Sequence, residues 1–199
     1  MFQTMEVCVR NEDYDRARRA VGQLNLTGAN TEVAAHWLSL WHDGKPPKMN
    51  SFIQSRILKH IPAKNIFEIH ENESVRCIKG AAFVKLASGF DFTNQDILAL
   101  TNAADRDALL AWMWQIASGA VCVYYRSYKS KTESSGLSQG VALPFSDVEP
   151  DGARYFLTHT NWRPIGSDWV AGSVTIDLQI PAEKRVISFK DAAPETAWV

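Results

Sequence analysis

At Gly119 the hydrophobic rhythm of the chain changes, and that change restricts the fold more than any other feature. Before it, DRDALLAWMWQIA (105–117) carries apolar residues around most of a helical circumference, as a well-buried helix does, and Gly119 is placed to end it. After it come VCVYYRSY (121–128), GVALPF (140–145) and RYFLTHT (154–160), β-branched and aromatic runs parted by polar turns. Such runs predict three antiparallel strands. Upstream, NIFEIH (65–70) and SVRCIK (74–79), joined by the polar turn ENE, predict a hairpin, and AAFVKLA (81–87) a short helix. Strands therefore precede and follow a helical block. This order predicts an α+β fold: an antiparallel sheet of about five strands over 64–162, with the segment 81–117 packed across one face.

The N-terminal part reads as helical. Asn11 to Leu24 predicts a short helix with Asn11 as N-cap, acidic residues in its first turn and arginines towards its end. A second helix starts at Asn30 or Thr31 and ends at Asp43-Gly44, with Val33, Trp37 and Trp41 recurring every four residues. That stripe must be buried, and the expectation is a homodimer formed through Val33, Trp37 and Trp41. The alternative is packing against the open face of the chain's own sheet. KPPKMNSF (45–52) is expected to be a non-helical connector, and Ile53 to Ile61 predicts a helical segment closed by Pro62. Past Pro164, SVTIDLQI and RVISF, turned by PAEK, predict a second strand pair. The expected divisions are a helical extension (1–30), a central domain with its flanking helix (31–162), the strand pair (163–190) and a tail (191–199).

Charge narrows the function. Lys plus Arg number 21 against 22 Asp plus Glu, so nothing favours a nucleic acid or an anionic membrane as partner. No stretch approaches the roughly 18 apolar residues of a span, and the expectation is a cytoplasmic protein. Cys8, Cys77 and Cys122 are widely spaced, form no CxxC, and read as reduced apolar fillers.

GLSQG (136–140) matches the G-x-S-x-G nucleophile elbow, with Asp147 or Asp151 and then His159 in hydrolase order. An elbow needs a strand before the serine and a helix after it. Here a polar turn precedes Ser138 and a strand follows, so no enzyme is expected and the glycines serve a hairpin. His36 and His42 lie six residues apart, about 240° around a helix, and cannot converge on a metal unaided. The pair His60 and His70 has no metal-ligand spacing either, and no metal site is expected. Trp37, Trp41, Trp112 and Trp114 fall in helical apolar patterns and read as core.

The hairpin, AAFVKLA, the phrase GFDFTN, the buried helix and the three strands follow the order of a PAS domain. Over about 31–162 the chain resembles a PAS-like family widespread in alphaproteobacteria. The matching points are the tryptophan helix ending in Gly44 and Pro47, Ile61-Pro62, Gly80, Gly89 with Phe92-Thr93, and Leu143-Pro144. Cys77, Ala81 and Asn94 stand where the family tends to place arginine, threonine and glycine. The resemblance implies a small cavity between sheet and helices, here walled by Ile78, Phe83, Leu86, Leu110, Trp114, Val121, Val123 and Leu143. The competing reading is that these residues simply fill a core. It further implies a stand-alone sensory or regulatory module that binds a signalling protein, under control of a small ligand of unknown identity. A haem or flavin sensor is the alternative.

Overall fold

The computed structural model describes residues 12–55, 63–71, 73–130, 135–161, 174–176 and 183–189. In chain order the elements are α1 (Glu12–Gly22), α2 (Ala29–Ser39), α3 (Met49–Gln54), β1 (Lys64–His70), β2 (Ser74–Lys79), α4 (Ala82–Ser88), β3 (Gln95–Asp96), α5 (Arg106–Ala117), β4 (Ala120–Ser130), β5 (Ser135–Val148), β6 (Arg154–Asn161), β7 (Val174–Ile176) and β8 (Glu183–Ser188). The strands form one antiparallel sheet in the order β3-β2-β1-β6-β5-β4-β7, with β8 also paired to β4.

The hairpin, β4 and β6 stand where the sequence put them, whereas β5 starts at Ser135 and takes in the GLSQG run expected to be a turn before it. β7 and β8 also depart from the expectation. Instead of pairing with each other they lie along the same edge of β4, β8 against Ala120 to Tyr125 and β7 against Tyr128 to Ser130. An edge strand of eleven residues leaves a long row of unpaired backbone groups, and two short strands in tandem cover it.

Helices cover both faces of the sheet. On one, α1, α2 and α3 bury Ala17, Ala20, Val33, Trp37 and Phe52 against Ile66, Val121, Val123, Val141, Leu143 and Leu157. On the other, α5 buries Leu109, Trp112, Met113 and Ile116 against Phe67, Cys77, Cys122, Tyr124, Ala142 and Phe156, with Val84 of α4 beside them. Alternating strand residues thus feed alternate cores, as the pleat requires. Phe67 and Phe156, on neighbouring strands, stack at 5.0 Å.

This layering corrects the expected interface. Val33 and Trp37 are fully buried inside the chain, and Trp41 packs half-buried beside them. The Trp37 indole donates to the Pro144 carbonyl at 2.8 Å, and Trp41 meets Trp37, Tyr14 and Phe189 edge to face. The stripe is spent on the chain's own sheet because β4, β5 and β6 present an apolar face there. A second copy cannot use Val33 or Trp37 without unfolding the layer.

Local chemistry sets the remaining boundaries. α1 carries Glu12, Asp13 and Asp15 in its first turn and Arg19 in its last, each favoured by the helix dipole. α4 ends on Gly89 in the left-handed region at φ 75. At Gly80 a Cβ would stand 3.0 Å from both the Thr93 amide nitrogen and its Oγ1, a tight approach that favours glycine. α3 corrects the expected connector: the helix starts at Met49, just past the two prolines, and ends at Gln54 with Ser55 extended, while residues 56–61 of the expected helix lie outside the described residues.

Candidate functional site

The eight residues expected to wall one cavity do not share a face. Leu110 and Trp114 lie half-buried against the α4–α5 core, and Phe83 is half-buried on α4. Leu86, also on α4, is 52% exposed. Val121, Val123 and Leu143 are buried on the opposite face beneath α1–α3, with Ile78 packed against the same core. The sheet separates the two groups. Its strand residues on the α4–α5 side are instead Cys122, Tyr124, Ala142 and Phe156. The sequence assignment chose the wrong parity because these strands are apolar on both sides and show no alternation to read.

The polar chemistry of the α4–α5 face gathers at one end of the sheet. Tyr124, Gly140 and Thr160 are direct neighbours across β4, β5 and β6. The Tyr124 ring lies over Gly140, where a Cβ would overlap it, and its hydroxyl meets Thr160 Oγ1 at 3.1 Å. On the next strand Asn65 donates to Thr158 Oγ1 at 3.3 Å and accepts the Ala81 amide at 2.8 Å, tying the entry of α4 to the sheet. Buried Ser138 belongs to the same end. The described groups here are neutral hydroxyls and an amide.

GLSQG is therefore a strand, and Gly140 is glycine because an aromatic ring occupies the space of its side chain. The triad suggested by order alone does not assemble. Gln139 and Val141 share the side of His159, whereas Ser138 points to the side of Gly140 and Ala142, so the sheet stands between serine and imidazole. Asp147 accepts the Met49 amide at 2.6 Å at the start of α3, and Asp151 accepts the Ala153 amide in a turn.

A different constellation holds the α1–α3 layer. His159, 2% exposed, faces α2 through Nδ1, which stands 2.7 Å from Asn30 Oδ1. Asn30 is also fully buried, and its Nδ2 donates to the Gln139 carbonyl at 2.8 Å, so Oδ1 is the acceptor and His159 carries its proton on Nδ1. The Gln139 side chain accepts from the Thr27 amide at 2.9 Å and donates to the Asn25 carbonyl at 3.2 Å and the Tyr125 hydroxyl at 3.1 Å. Lys64, itself buried, is the cross-strand neighbour of His159. Burial, and then the Lys64 charge, hold the His159 pKa down to about 4, while burial lowers that of Lys64. No sequence motif marks this group, since Asn30 lies 109 residues from Gln139 and 129 from His159.

At the far end of the same face the Tyr155 hydroxyl donates to Glu68 Oε2 at 3.2 Å, with Glu149 Oε1 at 3.4 Å, and Arg76 pairs with Glu68 at 2.6 Å. Burial and the two carboxylates raise the Tyr155 pKa.

The remaining expected candidates are dispersed. His36 bonds Ser55 at 2.7 Å, His42 is exposed beside Asp43, His70 lies near Glu68, and His60 is outside the described residues. Among the described residues no group of three or more His, Cys, Asp or Glu could hold a metal, and no helix is long and apolar enough to cross a membrane. Nor does a haem find an imidazole or a thiolate on the α4–α5 face. The described histidines lie elsewhere, and burial pushes the Cys77 thiol up to about 12 and that of Cys122 to about 11. No family model matches the chain, and no curated protein matches it.

Proposed function

We propose that the chain is a PAS-type regulatory module that takes a small, hydrogen-bonding ligand between the sheet and α4–α5 and conveys its state to a signalling protein. The observation that carries this reading is topological. Hairpin β1–β2, the crossing segment with α4 and α5, and three successive antiparallel strands give the order β2-β1-β6-β5-β4. The neutral donors and acceptors of Tyr124, Thr158 and Thr160 support the ligand class, because they are buried on the face that α4 and α5 cover. Native mass spectrometry of gently purified protein tests it. A small-molecule adduct that Thr160→Val weakens is expected; protein that carries no adduct and shows no thermal shift with any member of a metabolite collection would refute the ligand. An absorbance spectrum free of Soret and flavin bands is expected, and either band would restore the pigment-sensor alternative.

A further inference from the structure

We propose that the α1–α3 layer is fastened to the sheet by an acid-labile latch, in which protonation of His159 sets a second positive charge beside Lys64 beneath the N-terminus of α2. The reasoning starts from what surrounds the ring. His159 Nδ1 is committed to Asn30, the second residue of α2, so an added proton goes to Nε2 and leaves the hydrogen bond intact. What changes is charge. The imidazolium would share a buried site with the Lys64 ammonium across the β1–β6 pair and with the positive end of an eleven-residue helix. The groups that face it from the neighbouring elements are Lys64 of β1, Gln139 of β5, Asn30 of α2 and, through Gln139, Tyr125 of β4 and the Asn25–Thr27 loop. Lys79 of β2 acts on Lys64 with the same sign. None of these described groups is a carboxylate. The α2 carboxylate Glu32 lies in the first turn, on an exposed position.

Releasing α2 removes the helix end from the ring and lets water screen the Lys64 charge beside it. The open state binds its proton near the ordinary imidazole value of 6.5 and the closed state only near 4. Closure is therefore fully favoured above about 6.5 and is progressively lost as pH falls towards 4. At pH 5 these two values weaken closure by about 20-fold relative to pH 7. The α4–α5 side, whose core contains no described histidine, has no such dependence built in.

Amide exchange by mass spectrometry, corrected for intrinsic rates, tests the latch on the full chain. Between pH 7 and pH 5 protection over α2 should fall by roughly 20-fold while protection over α5 changes little. His159→Gln, which retains a side-chain donor for Asn30, should flatten the α2 response, and Lys64→Met should shift it to lower pH. Equal losses in α2 and α5, or an unchanged α2 response in His159→Gln, would overturn the proposal. Should His159→Gln fail to fold, wild type decides. The loss of α2 protection must level off at the pH where the His159 ring of the closed protein titrates by NMR, near 4, and a loss that continues unchanged below that titration refutes the latch.

Discussion

Replacing Gly140 by alanine tests how the centre of the sheet is built. The added methyl meets the buried Tyr124 ring, which is itself held edge-on to Trp112 at 5.7 Å and hydrogen-bonded to Thr160. A phenol ring cannot bend, so it must swing as a unit, repacking against Trp112 at an overpacking cost of about 1–3 kcal/mol. Its hydroxyl leaves Thr160, for about 0.5–1.5 kcal/mol more. Alanine recovers about 0.4–1 kcal/mol by restricting the unfolded chain. The net is a loss of about 0.5–4 kcal/mol, centred near 2, which at the centre lowers Tm by roughly 4–8 °C for a chain of this size. Urea denaturation followed by circular dichroism measures it, with an unchanged m-value expected. The mechanism is isolated by repeating the substitution in a Tyr124→Ala background, where the ring is gone and Gly140→Ala should cost under about 0.5 kcal/mol. Equal costs in the two backgrounds, or a cost below about 0.5 kcal/mol in the wild type, would show that the ring does not dictate the glycine.

Three further outcomes follow from the same packing. Trp37→Ala should cost about 3–5 kcal/mol in urea denaturation, since it empties a fully buried site and strands the Pro144 carbonyl; a loss under 1 kcal/mol would mean that α2 is not docked as described. Cys77 and Cys122 should resist iodoacetamide at pH 8 in the native protein and react once it is denatured, because burial holds both thiols protonated; rapid native labelling of either, located by peptide mapping, would contradict the burial. Ser138→Ala should lower stability by about 1 kcal/mol and leave any fluorophosphonate labelling of the chain unaltered, since its hydroxyl and His159 occupy opposite faces; labelling abolished by the substitution would revive the hydrolase reading.

The secondary structure was largely legible because its signals are local. The polar turn after His70, the circumference of α5 and the change of period at Gly119 each lie within a dozen residues. Face assignment was not legible, and the cause is visible in β4. Val121, Cys122, Val123 and Tyr124 are all buried, two on each side, so no polar residue betrays which way the first one points. Amphipathic α2 posed the complementary difficulty. Val33 and Trp37 announce that something covers them without saying what, and only the sheet's second apolar face supplies the answer. The Asn30–His159–Gln139 group stayed hidden because ordinary residue types carry it and no spacing links them.

The attachment of α2 to strands so distant in the chain also orders events during synthesis. Asn30 leaves the ribosome 129 residues ahead of His159, and β5 and β6, which form the floor under Trp37, are among the later elements made. At roughly 5–20 residues per second, the apolar faces of α1 and α2 wait about 6–26 s for the surface they bury against. Through that interval the nascent chain offers Val33, Trp37 and Trp41 to whatever apolar surface comes first, including another nascent chain. Native contacts of this span are slow to form even in a finished molecule, because loop closure must precede any gain from packing. The helices α1 and α2 are thus made well before the strands they pack against and find their place late, and a chaperone that shields short tryptophan-bearing helices would act on this chain in that interval.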